Sequence, residues 1–212
     1  KIMIIMGFFL TLVQVNRVGG SVVANALSSI HQLTPAEIGV VIGVMFLSSA
    51  LVQIPFGIML DRFGARRMIV GWSSVAIIGT VIFGLAETSS GLTVGRTLIG
   101  IGHGASITGV YLLALAWASP ERVASVAATT IAVAGALGGM IGTAPLAASI
   151  QYVGFTDTFL YLAVASLLSS ILIWFFVDDR PPGARIESTK ENSKTAILGL
   201  FEVIKDRNLW PI

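Results

Sequence analysis

Apolar residues in this chain come in long unbroken runs, and most polar residues are gathered into the gaps between them. The runs occupy residues 2–26, 35–60, 68–85, 92–117, 123–150 and 155–177. Crossing the hydrocarbon of a bilayer takes about twenty apolar residues in a helix, so the pattern predicts six membrane-spanning helices. The gaps carry helix punctuation. Thr34-Pro35-Ala36-Glu37 reads as an N-cap, a proline at the first helical position and a capping-box glutamate. Ser119-Pro120-Glu121 repeats that logic before the fifth run. Glu87-Thr88-Ser89-Ser90-Gly91 and Tyr152-Val153-Gly154 supply the other turns.

The basic residues then orient the chain. Lys1 precedes the first run, Arg62, Arg66 and Arg67 lie between the second and third, and Arg122 lies between the fourth and fifth. Arg180, Arg185, Lys190, Lys194, Lys205 and Arg207 follow the sixth. The opposite connections, around His31, Thr88 and Tyr152, contain no lysine or arginine. Lysine and arginine accumulate on the cytoplasmic side of a membrane protein. The N-terminus and the tail are therefore expected in the cytoplasm, in a multi-pass protein of the inner, cytoplasmic membrane.

Composition narrows the class. The chain is 55% hydrophobic and 11% charged, against about a quarter charged in soluble domains. A net charge of +2, with no long basic face, excludes a nucleic-acid partner. With no cysteine, disulfides, thiolate metal sites and cysteine nucleophiles are excluded. The first run is too long and too uninterrupted for the core of a cleavable signal peptide. The spans hold no acid pair, metal-ligand cluster or Ser-His-Asp set. No cofactor or metal is implied, and a membrane enzyme is the weakest class.

The pattern changes after residue 177. Asp178-Asp179-Arg180-Pro181-Pro182-Gly183 stops the helix, and residues 178–207 read as a cytoplasmic linker. Within it, residues 196–205 place Ile197, Leu200, Phe201 and Ile204 on one helical face. That suits either a short amphipathic helix lying on the membrane or a linker helix without a partner. Residues 208–212, with Trp210, read as the start of a seventh span. The organisation expected is a bundle over 1–177, a linker, and the beginning of a second half.

One cluster makes the reading specific. Gly57-x-x-x-Asp61-Arg62-x-Gly64-x-Arg66-Arg67, in the cytoplasmic gap between the second and third spans, resembles the loop motif of the major facilitator superfamily. Arg96-x-x-x-Gly100-x-Gly102-x-Gly104 is similar to the fourth-helix motif of that superfamily. The run Val52-Gln53-Ile54-Pro55-Phe56-Gly57 is similar to bacterial members near the organic-anion and sugar-phosphate permeases. The resemblance implies an all-α membrane protein, its six helices forming two three-helix repeats as the N-terminal bundle of a two-bundle transporter. It also implies a cavity between bundles and alternating access by their rocking. Asp61 would then meet the positive end of a helix dipole in the second bundle. Gly57 would permit that approach, Gly64 would make the turn, and Arg62, Arg66 and Arg67 would meet lipid phosphates or acidic partners. The plainer alternative is a positive-inside anchor without a gating role. The fifth span partly resembles the glycine-proline motif of drug–proton antiporters, but Ala144 stands where a glycine precedes Pro145. That leaves a kink and speaks against antiport.

Ionisable residues deep in a membrane are functional candidates by default. On the first span Gln14, Arg17, Ser21 and Asn25 recur every three or four positions, which makes a polar stripe. On the fourth, Arg96, His103 and Ser106 do the same on a face relieved by Gly100. Arg17 and Arg96 sit on the first helix of each repeat, where the resemblance expects the cavity wall. No aspartate or glutamate lies deep in the spans to pair with them. The pair therefore suits a bound anion such as a carboxylate or phosphate. Snorkelling, or pairing with an acid in a second half, is the alternative. His103 has the chemistry of a proton relay, although packing explains a lone histidine equally.

The expected function is a secondary active transporter for a small anionic organic solute, coupled to protons or another ion. The alternatives are a multidrug or siderophore-type exporter and a transporter-like solute sensor. Arg17 in place of an acid disfavours cationic drugs. Beyond the solute and the bilayer, the expected partner is a C-terminal six-helix half or a second copy of this one, because the polar stripes need cover.

Overall fold

A computed structural model describes residues 1–30 and 32–179. Lys1–Pro181 form one compact unit. His31, the expected linker with its helix at 196–205, and the expected seventh span lie outside the described residues.

Nine helices among the described residues make up five apolar stretches long enough to cross a membrane, and six when the bent pair at the start of the chain counts as one span. The helices are α1 (Ile2–Val18), α2 (Gly20–Ser29), α3 (Pro35–Phe63), α4 (Ala65–Leu85), α5 (Ser89–His103), α6 (Ser106–Trp117), α7 (Val123–Ile141), α8 (Ala144–Tyr152) and α9 (Phe155–Phe176). Spans one, four and five are each made of two pieces. The first bends by 46° between α1 and α2. The break between α7 and α8 falls just before Pro145, which takes an early helical position in α8 because its fixed φ and missing N–H suit the first turn.

Start signals act as written in two places. Thr34 Oγ1 accepts from the Glu37 N–H while Glu37 Oε2 accepts from the Thr34 N–H, which closes the capping box of α3. Thr88 caps α5 through the Gly91 N–H. Ser119 does not cap the fifth span as expected. The chain makes one further turn, so α7 begins at Val123, with Arg122 in the cap position and no side-chain cap. Ser119 contributes its carbonyl instead, to the N–H groups of Arg122 and Val123.

Packing shows the two repeats directly. In span numbers, 3 packs on 4 and 6, 2 packs on 4, and 1 packs on 5 and 6. Exchange span 1 with 4, 2 with 5 and 3 with 6, and that set of contacts maps onto itself. The architecture is therefore two three-helix repeats related by approximate symmetry.

Small residues set the closest approaches. A side chain at Gly100 would collide with Met45 and Ser48 of α3, and one at Gly102 with Trp72 and Ala76 of α4. Gly104 faces Ser49 and Val52 of α3. The Gly100-Ile101-Gly102-His103-Gly104 run thus lets the fourth span wedge between the second and third, by van der Waals contact. Gly138 and Gly142 likewise admit α1. Gly39 and Gly43 meet nothing within 4 Å among the described residues.

The buried apolar side chains form two clusters. One holds Phe9, Val13, Phe56, Leu60, Ile69 and Ile173; the other holds Val23, Met45, Phe83, Leu92, Ile99 and Phe159. Between them along the spans lie buried polar residues, including Asn16, Ser48, Ser49, Ser73, Ser166 and Ser170. The apolar clusters are thus separated by a layer that carries buried hydroxyl and amide groups.

Candidate functional site

Arg17 and Arg96 lie beside this polar layer, through Ser49 and Asn16, and the structure divides them. Arg96 is buried inside the bundle at 2% exposure. Its Nη1 donates to the Asn16 carbonyl at 3.0 Å and lies 3.3 Å from the Met45 sulfur. The guanidinium carbon sits 4.5 Å from the centroid of the Phe83 ring. Nε and Nη2 of Arg96 have no hydrogen-bond partner in the described structure. A buried cation with one strong acceptor and an aromatic face is held by local dipoles rather than by a counter-charge.

Arg17 is half-buried on the bend of the first span. Its Nη2 donates to Ser49 Oγ at 3.2 Å, and its Nε is unpartnered. The two arginines therefore differ in kind. Arg96 is enclosed and braces the first span from within, beside the residue that precedes Arg17. Arg17 is only half-buried, with one hydrogen bond to a neutral hydroxyl.

The residues of the first-span stripe differ in their surroundings. Gln14 packs against the fifth span at Gly135 and Gly138. Ser21 and Asn25 are exposed on α2. On the fourth span, His103 is 4% exposed and meets the Phe9 ring edge-on at 6.4 Å. Its carbonyl accepts from Ser106 Oγ, and its Nδ1 has no partner. Ser48 and Ser49, which sequence reasoning did not single out, complete the polar layer. Their signal was present as a serine pair within an apolar run, opposite the glycines of the fourth span.

The motif of residues 57–67 is almost entirely helical, which corrects the expectation of a loop spanning it. Residues 57–63 end α3, and Arg66 and Arg67 belong to the first turn of α4. Gly64 alone joins the two helices, at φ +85°, a left-handed conformation that favours glycine. The charges are carried by helix ends, so no extended loop is needed. Among the described residues, nothing comes within 4 Å of a side chain placed at Gly57. Arg62 is exposed and stacks 5.3 Å from the Phe63 ring centroid. The Asp61 backbone is in α3; its side chain is outside the described set.

The other flank of the motif is engaged. Arg66 Nη1 pairs with Asp178 Oδ1 at 2.9 Å, and the Arg66 backbone N–H donates to Asp179 Oδ1 at 2.6 Å. The Arg66 guanidinium also lies over Trp174, 5.4 Å from the ring centroid. Trp117 Nε1 donates to the Asp178 carbonyl at 2.8 Å. The ends of the third, fourth and sixth spans thus meet at two residues.

Comparison with known proteins agrees with this architecture. The profile of the Major Facilitator Superfamily matches residues 3–212. The chain is 43% identical over 67 residues to the inner membrane transport protein YajR of Escherichia coli, covering 32% of this chain and 15% of that protein. It is 28% identical over 167 residues to the probable sulfoacetate transporter SauU of Cupriavidus necator, covering 79% of this chain and 39% of that one. It is 31% identical over 163 residues to the synaptic vesicular amine transporter of Bos taurus, covering 74% of this chain and 31% of that one. In fold it is similar to a bacterial homologue of the human lysosomal transporter Spinster, solved inward-facing and unoccupied. That match has a TM-score of 0.74 at 19% identity and covers 96% of this chain and 48% of the other. The chain thus spans less than half the length of each of these proteins.

Proposed function

The chain belongs to the Major Facilitator Superfamily, and from that premise we propose that it forms one six-span half of a secondary active transporter for a small anionic organic solute. It works in the cytoplasmic membrane, with its N-terminus and tail in the cytoplasm, by rocking of two bundles around a site in the polar layer. The single observation that carries the anionic reading is Arg17. It is a half-buried cation with one hydrogen bond, to the neutral Ser49, and a buried Nε without a partner among the described residues. No aspartate or glutamate lies near the middle of the described spans to neutralise it. A carboxylate or sulfonate entering from the cavity would complete its donor set in the bidentate manner arginine favours. The likeness to a probable sulfoacetate transporter supports the same charge sign. Arg96, enclosed and braced on Asn16, holds the first span in shape; it does not face the solute.

A second reading, export of an amphipathic or amine solute, is favoured by the likeness to an amine transporter. An amine needs an acid, which this half does not place in its polar layer, so that reading requires the acid from a second half. A third, a solute sensor, differs in that it binds without exchanging.

The test uses the full-length protein in liposomes with radiolabelled sulfoacetate, a short dicarboxylate and a small aromatic amine, each in uptake and counterflow. Anion uptake should fall by roughly ten- to a hundredfold in Arg17→Ala, the range expected for losing a charge-assisted contact, and recover in part in Arg17→Lys. Amine uptake with no anion uptake would overturn the anionic reading, as would anion uptake unaffected by Arg17→Ala. Binding without counterflow would favour the sensor.

A further inference from the structure

The third span begins with the wrong charges. Its first turn is Ala65-Arg66-Arg67, with no acid, and its N-cap is Gly64, which has no side chain to offer. A helix N-terminus carries unsatisfied N–H groups and a partial positive charge, so it is stabilised by an anion and opposed by cations. Here two arginines occupy that position. Local sequence cannot repair this, yet the helix starts cleanly at Ala65.

The repair comes from more than a hundred residues away. Asp179 Oδ1 accepts the Arg66 N–H at 2.6 Å. A side chain at Gly64 would place its Cβ 2.5 Å from Asp179 Oδ2, so the carboxylate occupies the space that any other residue would need. Asp178 next to it pairs with the Arg66 guanidinium, and its carbonyl holds Trp117 at the end of the fourth span. The second glycine of the motif therefore does two things. It turns the chain at φ +85°, and it leaves room for a distant acid.

We propose that Asp179 is a positioning residue for the motif: it caps the third span across space and, with Asp178, latches the motif to the point where the sixth span ends. One flank of the motif, Gly64 and Arg66, is fixed by this latch. The other flank, Gly57 and Arg62, is left open, and it is presented at a height and angle that the latch sets. The consequence for transport rests on the alternating-access reading above, in which the open flank meets a second bundle when the cytoplasmic side is closed.

Two measurements on the full-length protein test this and separate the two claims. The first is hydrogen–deuterium exchange of the peptide that contains Arg66. In Asp179→Ala the Arg66 amide should exchange on the order of ten- to a hundredfold faster, as for a lost charge-assisted hydrogen bond. Asp179→Asn, which keeps an acceptor, should be intermediate. Asp178→Ala should leave that amide protected. Unchanged exchange in Asp179→Ala overturns the cap. The second is labelling of Gly43→Cys and Gly139→Cys by a membrane-impermeant maleimide applied from the outside. Both positions are open in this bundle. Outside labelling should fall several-fold when Asp179→Ala is added, because a released motif closes the cytoplasmic side less well. Faster exchange with unchanged labelling would leave a cap with no positioning role and overturn the proposal. Labelling at neither position in any variant would count against alternating access itself, with the exchange result still deciding the cap.

Discussion

Arg96 Nη1 lies 3.0 Å from the carbonyl oxygen of Asn16, where the first span breaks between α1 and α2. A carbonyl at a helix break tends to lose its helical donor, and inside a bundle no water replaces it. The fourth span supplies the donor instead. The bend and the buried arginine are thus one feature: the arginine has an acceptor because the helix bends there, and the bent helix is tied to the fourth span.

Arg96→Ala should therefore destabilise the bundle by about 2–3 kcal/mol, since it strands a buried acceptor and removes the contact with Phe83. Arg96→Lys should recover only part of this, because an ammonium lacks the flat face that stacks on the ring. Thermal unfolding in detergent, followed by size-exclusion chromatography, reads both. A melting point equal to that of the parent would count against the brace.

The glycines of the bundle should separate by sign. Gly100→Ala drives a methyl group into Met45 and Ser48 of α3, at a cost of about 1–3 kcal/mol for an overpacked contact. Gly71, also helical, meets nothing within 4 Å. Gly71→Ala should be neutral or stabilising by up to about 1 kcal/mol, through lost backbone entropy in the unfolded chain. The same unfolding assay compares them. A large loss at Gly71 would show that this face is covered in the native protein.

Thr34→Ala opens the capping box at the N-terminal end of α3 and should cost about 1 kcal/mol. Because Glu37 bonds back to the Thr34 N–H and hydroxyl, adding Glu37→Ala should cost less than its separate effect. A double-mutant cycle on the melting point measures that coupling, and strict additivity would contradict it.

Ser49→Ala removes the one hydrogen bond recorded for the Arg17 guanidinium. If Arg17 receives the solute, that change alters aim rather than charge. The KM for the transported anion should rise about two- to fivefold, from the loss of roughly 1 kcal/mol of orientation, with kcat little changed. An equal fall in kcat would place Ser49 in the conformational cycle instead.

Much of this was legible in order along the chain. Six spans, the turn at Gly154, the cap at Thr34 and the small-residue face on the fourth span follow from composition and spacing, and the turn at Gly64 was implied by the family resemblance. Each rests on local physics: about twenty apolar residues cross the hydrocarbon, a left-handed turn favours glycine, and close approach needs small side chains. The resemblance of residues 57–67 to a loop motif identified the family as well, and it did so although nearly all of the motif is helical.

What the sequence could not decide was which candidates share a neighbour. Arg17 and Arg96 look equivalent as isolated cations in apolar runs, and only packing makes one a buried brace and the other a half-buried donor. Asp178 and Asp179 look like the polar stop of the sixth span. Only the folded bundle carries them to the Arg66 amide and guanidinium, more than a hundred positions away. Spacing along one helix fixes which face a residue is on. Which helix stands opposite that face is set by contacts between spans, and for the capping of the third span that partner is Asp179.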